Sequence, residues 1–454
     1  MRRRIAEQTV IFISVVKWIA LATVVGSIIG LSTTVFIKLL NWSIEHASAY
    51  KYYFLLMPVG FLASVLIIKF LAPEAEGHGT EKIIEAIHKR SGKIKFLVVP
   101  VKLIATIITI ASGGSAGKEG PAAQIGAAIS SKFADIFRFN NVDRKKLVIC
   151  GISAGFAAVF GTPISGAFFG VEVLFAGSIL YEVLLPSFVA GITSYQVSTF
   201  LGLSYFNQPF DFVPVFSEAF FLKVAVAGIF FGLVSMFLIE MMTLAHKISG
   251  RFHLHPILKP LIGGLLLIVL TFIFSRDYLG LGLESIKSSL TGVPGPWYAS
   301  ILKIVFTSIT LASGGSGGIV TPIFFVGATA GTVFGHLTGL DVATFAAIGL
   351  VSVLAGCTNT PISASIMSVE LFGPKLAPYA TVACIISFLM TGHRSVYPSQ
   401  ILSIRKSPSV EVELGHDMAS SVAHVHPRKR SFTGLLIKIS QALKDKLKRN
   451  NHRE

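Results

Sequence analysis

The sequence predicts an all-α membrane fold built from two repeats of tilted, broken helices, and three observations carry that prediction. The chain has 454 residues, of which 52% are hydrophobic and only 14% charged, with a mean hydropathy of +0.72. Soluble domains carry roughly 25% charged residues. Many of its apolar runs are too short to span a bilayer alone, which marks helices that break inside the membrane. Three motifs also recur in the same order, offset by about two hundred residues. Ala111-Ser-Gly-Gly-Ser-Ala-Gly-Lys-Glu-Gly-Pro121 returns as Ala312-Ser-Gly-Gly-Ser-Gly-Gly-Ile-Val-Thr-Pro322. Gly77-His-Gly-Thr-Glu81 returns as Gly280-Leu-Gly-Leu-Glu284, and Thr162-Pro-Ile-Ser165 with Glu172 returns as Thr360-Pro-Ile-Ser363 with Glu370.

In order, Thr9 to Leu40 is one apolar run with Lys17 and Trp18 near its start. At about 1.5 Å per residue it exceeds the ~30 Å hydrocarbon layer, so it is expected to tilt. Tyr52 to Leu71 forms a second span. The polar turn Glu74 to Glu81 and the short amphipathic piece Lys82 to Lys89 follow, and the latter cannot cross. Lys93 to Ser112, Glu119 to Phe137, Leu147 to Phe160, Ala167 to Phe175 and Leu180 to Leu201 complete the first half. The second half runs through Ala219 to Leu244, Ile257 to Phe274, Gly280 to Leu290 and Tyr298 to Ala312. It continues with Thr321 to Thr338, Thr344 to Leu354, Pro361 to Phe372 and Ala377 to Met390. The membrane part is therefore expected over 1–404, with repeats near 10–205 and 215–400. Residues 405–454 read as a basic cytoplasmic tail, where Phe432, Leu435, Leu436, Ile439, Leu443 and Leu447 share one helical face; this suits a helix on the membrane surface or, equally, a solvated and partly helical tail.

The break at Ala111 to Gly126 is where function is expected. It places a glycine-rich backbone and an ionisable pair, Lys118 and Glu119, at membrane depth. Backbone of that kind persists there only when buried in protein or lining a cavity, and a carboxylate there marks a functional site. A new helix starting at Glu119-Gly120-Pro121 turns its first-turn amides and positive dipole end toward the break, forming an anion site. Glu172 and Glu370, matched between halves, are expected to be structural. Lys118 is expected to snorkel or pair rather than hold an ion.

Other function classes fit poorly. Gly113 to Lys118 is one residue short of a nucleotide-binding P-loop, and Glu119 replaces the magnesium-binding hydroxyl. The formal charge of +16 sits at the N-terminus, in short loops and in the tail, the pattern of cytoplasmic flanks rather than of a nucleic-acid surface. Cys150, Cys357 and Cys384 lie in apolar segments and read as free thiols. The run after Met1-Arg2-Arg3-Arg4 is too long for a cleavable signal peptide. Neither enzymatic activity nor a metal or other cofactor is expected.

At these motifs the sequence resembles the CLC family of chloride channels and chloride–proton exchangers, over residues 10 to 400. Gly117-Lys-Glu-Gly-Pro121 is similar to the family's G-(K/R)-E-G-P motif, Gly318-Ile-Val-Thr-Pro322 to G-x-F-x-P, and Glu76-Gly-His-Gly-Thr-Glu81 to G-S-G-I-P-E. Tyr397 falls where the family's pore tyrosine is expected. The resemblance implies a homodimer, with one anion pathway per subunit and two halves of opposite membrane orientation. Anion binding is then implied at Gly120, Pro121 and Ala122 from the first half and Gly318, Ile319 and Val320 from the second. His78 and Tyr397 complete the set, and Glu119 is the gate.

Three departures shape the expected function. His78 replaces the pore serine, so an imidazole N–H stands in for a hydroxyl, and Val320 replaces a phenylalanine. Val173 occupies the position where exchangers of the family carry an internal proton-transfer glutamate. The leading expectation is a chloride-selective channel, passive and gated by Glu119, and a chloride–proton exchanger is the alternative. Chloride, other halides or nitrate are the expected permeants. The surroundings are expected to be the lipid bilayer of a bacterial or archaeal plasma membrane, with both termini cytoplasmic.

Overall fold

The structure is a computed structural model and describes residues 2–205, 218–251, 257–421 and 424–425. Within these residues lie sixteen α-helices. The first eight are α1 (Arg2–Ser48), α2 (Met57–Leu71), α3 (Thr80–Arg90), α4 (Val98–Ala111), α5 (Glu119–Ile136), α6 (Asn141–Phe160), α7 (Pro163–Glu172) and α8 (Tyr181–Phe200). The second eight are α9 (Glu218–Arg251), α10 (Leu258–Ile273), α11 (Leu283–Leu290), α12 (Ala299–Ala312), α13 (Val320–Thr338), α14 (Val342–Thr358), α15 (Pro361–Phe372) and α16 (Ala377–Met390). The expected repeat is thus visible element by element, the short α3 and α11 included.

Local chemistry sets the ends of these helices. The Asn140 side chain accepts from Asp143 N at 2.8 Å to start α6, and Asp341 accepts from Thr344 N at 2.7 Å to start α14. Gly161 (φ 72°) ends α6, and its counterpart Asn359 (φ 57°) ends α14, both residues that tolerate the left-handed conformation. Pro163 and Pro361 open α7 and α15, where a missing N–H is harmless.

Two faces of the molecule can be told apart along α1, which is about 70 Å long. Lys17 pairs with Asp143 at 2.9 Å. Lys38, about 31 Å further along the helix, lines a cavity with Glu45, Lys118 and Gly202. The first face also holds Lys89, Arg90, Lys145 and Lys146, and is called the basic face below; the second is the opposite face.

The halves are joined by reciprocal contacts that follow the repeat. Glu172 accepts from Ile362 N (3.1 Å) and Ser363 N (2.9 Å) at the start of α15. Glu370 returns the contact, accepting from Ile164 N (2.9 Å) and Ser165 N (2.8 Å) at the start of α7. Each carboxylate caps the helix of the other half, where the dipole favours it. The two glutamates are structural, as expected. All three cysteines are buried free thiols.

The polypeptide beyond residue 404 is not simply a solvated linker. The strand β1 (Phe175–Ala176) pairs in parallel with β2 (Ile401–Leu402). Gly415 N and Met418 N donate to Leu402 O and Gln400 O, and Val412 and Met418 bury against Ala176 and Leu402. The surface helix expected over 431–449 lies outside the described residues.

The glutamate clasp generates a stability prediction. Glu172 is 4% exposed whereas Glu370 is half-buried. Removing an acceptor from a buried donor costs about 1–3 kcal/mol. Glu172→Ala should therefore lower stability in detergent by about 2–3 kcal/mol, and Glu370→Ala by about 1 kcal/mol. Thermal unfolding of the two variants checks the order; an equal loss would count against the difference in burial.

Candidate anion site at the junction of the halves

The two glycine-rich breaks meet at the centre of the protein. Gly113 (φ 108°) and Gly314 (φ 92°) turn the chain out of α4 and α12. The strands that follow then pair antiparallel: Gly117 N donates to Gly318 O at 2.7 Å, and Gly318 N to Gly117 O at 2.6 Å. Helices α5 and α13 leave this bridge in opposite directions, so the positive ends of both dipoles converge on one place. Threonines from the other half support each break. Ser115 N donates to the Thr310 hydroxyl and Ser316 N to the Thr109 hydroxyl, both at 3.0 Å.

Not every predicted anion ligand has an amide to offer. Pro121 has no N–H, the Ala122 amide is bonded to Lys118 O at 3.1 Å, and the Gly318 amide is used in the bridge. These three residues shape the site with their backbone rather than donate to an ion. The helix-start donors are those of Glu119 and Gly120 from α5, and of Val320 and Thr321 from α13, with Ile319 as the cap residue.

Glu119 is 1% exposed, and its carboxylate does not stay with its own half. It accepts from Thr321 N at 3.1 Å and from the Thr321 hydroxyl. A carboxylate on a helix-start amide and a hydroxyl occupies what a bare anion would occupy. Thr321 was missed as a ligand by the sequence reading. Its signal is the repeat register, which aligns Thr321 with Gly120 and places a hydroxyl where the first half has none.

The third wall is the loop before α3. Gly79 (φ 86°) brings it so close to α5 that a Cβ on Gly120 would stand 2.0 Å from His78 O. His78 is 9% exposed and Tyr397 fully buried, with ring centroids 5.6 Å apart. Neither His78 Nδ1 nor the Tyr397 hydroxyl, which lies beside Thr80, has a hydrogen-bond partner of ordinary geometry among the described residues. Two unpaired polar atoms in a buried wall are costly, and such pairs recur where an ion or substrate is handled.

A second missed residue holds that wall in place. Lys102, fully buried in α4, donates to Ala75 O (3.0 Å) and Gly77 O (2.5 Å), tying down the loop that carries His78. Lys303 in α12 does the same for Tyr278 O (3.1 Å) and Gly280 O (2.9 Å). Val173 is buried at the end of α7, and its carbonyl accepts from Gln400 Nε2 at 2.7 Å. No titratable side chain stands at that position. Lys118 lines a cavity of about 260 Å³ on the opposite face with Lys38, Glu45 and Tyr205, consistent with snorkelling.

The chain's relatives share this architecture. It is 36% identical over 405 residues to the chloride/fluoride channel protein of Pseudomonas syringae pv. tomato, covering 87% of this chain and 88% of that protein. It is 29% identical to the voltage-gated ClC-type chloride channel ClcB of Shigella flexneri, over 70% of this chain and 79% of that one. The crystal structure of a CLC-type fluoride/proton antiporter superposes with a TM-score of 0.82 at 29% identity, covering 86% of this chain and 98% of that chain. Residues 59–392 match the voltage gated chloride channel family, and two inverted halves that meet at paired helix breaks are the fold of a CLC anion transporter, so the chain belongs to that family.

Proposed function

We propose that the protein exchanges small halides for protons, fluoride in preference to chloride, with Glu119 as both gate and proton carrier. The observation that carries this reading is the Glu119 carboxylate seated on the amide and hydroxyl of Thr321 in the opposite half. While ionised it competes with a halide for those donors. Once protonated it has far less claim on them, and the anion takes its place. The donors left for that anion are an imidazole N–H, a phenol and a few amides. Fluoride forms the strongest hydrogen bonds of the halides and gains most from such hard donors. It is also the halide most able to share a proton with a carboxylic acid, so its movement couples naturally to Glu119. The relatives named for fluoride support the same reading.

Passive chloride permeation is the second reading, favoured by Val173, which cannot take up a proton. Orientation follows from charge. Lys89, Arg90, Lys145 and Lys146 on the basic face suit the cytoplasmic side of a bacterial or archaeal plasma membrane, as does the start of α1. Pairing of two subunits is expected through α7 and α15, where Ile164 and Ile362 are each 41% exposed.

Two outcomes test the site. A Cβ on Gly120 would stand 2.0 Å from His78 O, and one on Gly318 would stand 2.8 Å from Gly120 N. Gly120→Val and Gly318→Val should therefore abolish halide efflux from proteoliposomes while the protein still elutes as a folded species. Normal efflux in both would remove the pore from this junction.

For the wild type, a fluoride gradient should drive protons the opposite way, with chloride a poorer driver. Glu119→Gln should end proton movement and leave any residual halide flux independent of pH, because the amide cannot titrate. Fluoride and pH electrodes read both at once. Chloride flux without proton movement in the wild type would establish the passive reading instead.

A further inference from the structure

Exchange requires a titratable group on each side of the anion site, and only the Glu119 side has been accounted for. Glu172 is a poor candidate for the other side, because both its oxygens are committed to the amides of Ile362 and Ser363. Glu85 pairs with Lys82 at 3.2 Å, one turn further from the site. Glu81 is different. It lies in the first turn of α3, next to Thr80, which neighbours the Tyr397 hydroxyl. Helix α3 is about 16 Å long and runs from beside Gly120 to the basic face, where Gly92 meets Lys145. Glu81 thus sits on the path from the anion site to the side that Glu119 does not reach.

Its environment suits a group that gains and loses a proton. Glu81 is half-buried. Oε1 accepts from Ser399 N at 3.0 Å and from the Ser399 hydroxyl, whereas Oε2 has only a long 3.3 Å contact to the same amide. One oxygen is held and the other is available. Ser399 follows Tyr397 by two residues, so the anchor belongs to the segment that carries the pore tyrosine. The charges around it are Lys82 and Glu85 on its own helix and Lys102 behind the His78 loop. Arg144, paired with Asp135, and Lys145 come from α6 near the far end of α3.

We infer that Glu81 is the proton acceptor of the basic face, the role that Val173 leaves unfilled. The inference rests on the exchange reading above. A proton from water on the basic face binds Oε2, passes through the hydrogen-bond donors of the anion site to the Glu119 carboxylate, and Glu81 returns to its ionised form. Only a proton moves and no oxidant or reductant is needed. The repeat supplies a matched control. Glu284 holds the equivalent place in the second half but is exposed in a cavity that shares Asn41 and Glu45 with the opposite face.

The test is proton movement per fluoride moved, measured in proteoliposomes for the wild type, Glu81→Gln, Glu284→Gln and Ser399→Ala. Glu81→Gln should lower the ratio at least tenfold while fluoride still moves, and Glu284→Gln should leave it unchanged. Ser399→Ala removes a donor from the carboxylate, which then holds its proton to higher pH, so half-maximal proton uptake should shift upward by about half a pH unit. A wild-type ratio in Glu81→Gln, or an unmoved midpoint in Ser399→Ala, would overturn the assignment. Fluoride flux without proton movement in the wild type would overturn the exchange reading, and the role of Glu81 with it.

Discussion

The rest of the structure depends on the paired hydrogen bonds between Gly117 and Gly318. Breaking a helix at membrane depth exposes backbone groups that lipid cannot satisfy. Here two breaks satisfy each other, and the hydroxyls of Thr310 and Thr109 take the amides of Ser115 and Ser316. The bridge admits only small residues, since a Cβ on Gly318 would meet Gly120 N at 2.8 Å. It also fixes where α5 and α13 begin. Two positive helix ends therefore face one point without a formal cation being placed there. Partial charges suit transport, because an ion must be bound firmly enough to enter and loosely enough to leave.

The placement of Glu119 follows from the same geometry. Because α5 and α13 start back to back, a side chain at the first position of one helix reaches the first turn of the other. Glu119 does this, and the second half has only Val320 at the matching position. A single carboxylate thus bridges the two halves through non-covalent contacts that protonation weakens. A merely architectural glutamate would cap its own helix, or would be returned by a partner, as Glu172 and Glu370 are.

The repeats, the two breaks, the short α3 and α11, and Glu119 were legible in the sequence because each is a local pattern of glycine, proline and hydropathy. What could not be read there depends on contacts across some two hundred positions of chain. Thr321 looks like an ordinary helix-start hydroxyl until Glu119 is seen to reach it. Lys102 and Lys303 vanish into the hydropathy of α4 and α12, although their matched places in the repeat were a usable signal. Ala122 and Gly318 were expected among the anion-binding residues, and only in three dimensions does it show that their amides bond Lys118 O and Gly117 O. The docking of residues 405–421 was hidden by their polar composition; they are held by backbone pairing and by two apolar residues, Val412 and Met418.

Comparing the halves separates architecture from function. Where both carry the same residue in the same surroundings, that residue holds the fold: Lys102 with Lys303, Glu172 with Glu370, Thr109 with Thr310. Around the junction of the breaks the halves differ. Glu119 faces Val320, Gly120 faces Thr321, and His78 faces Leu281. Glu81 and Glu284 are the instructive case, because the residue repeats and the surroundings do not. One is anchored on Ser399, two residues from Tyr397, and the other is exposed at the opposite face. An inverted repeat supplies a symmetric frame with no preferred direction. Any direction in such a frame must come from positions where the halves differ, and here those include a handful of side chains around the junction of the two breaks.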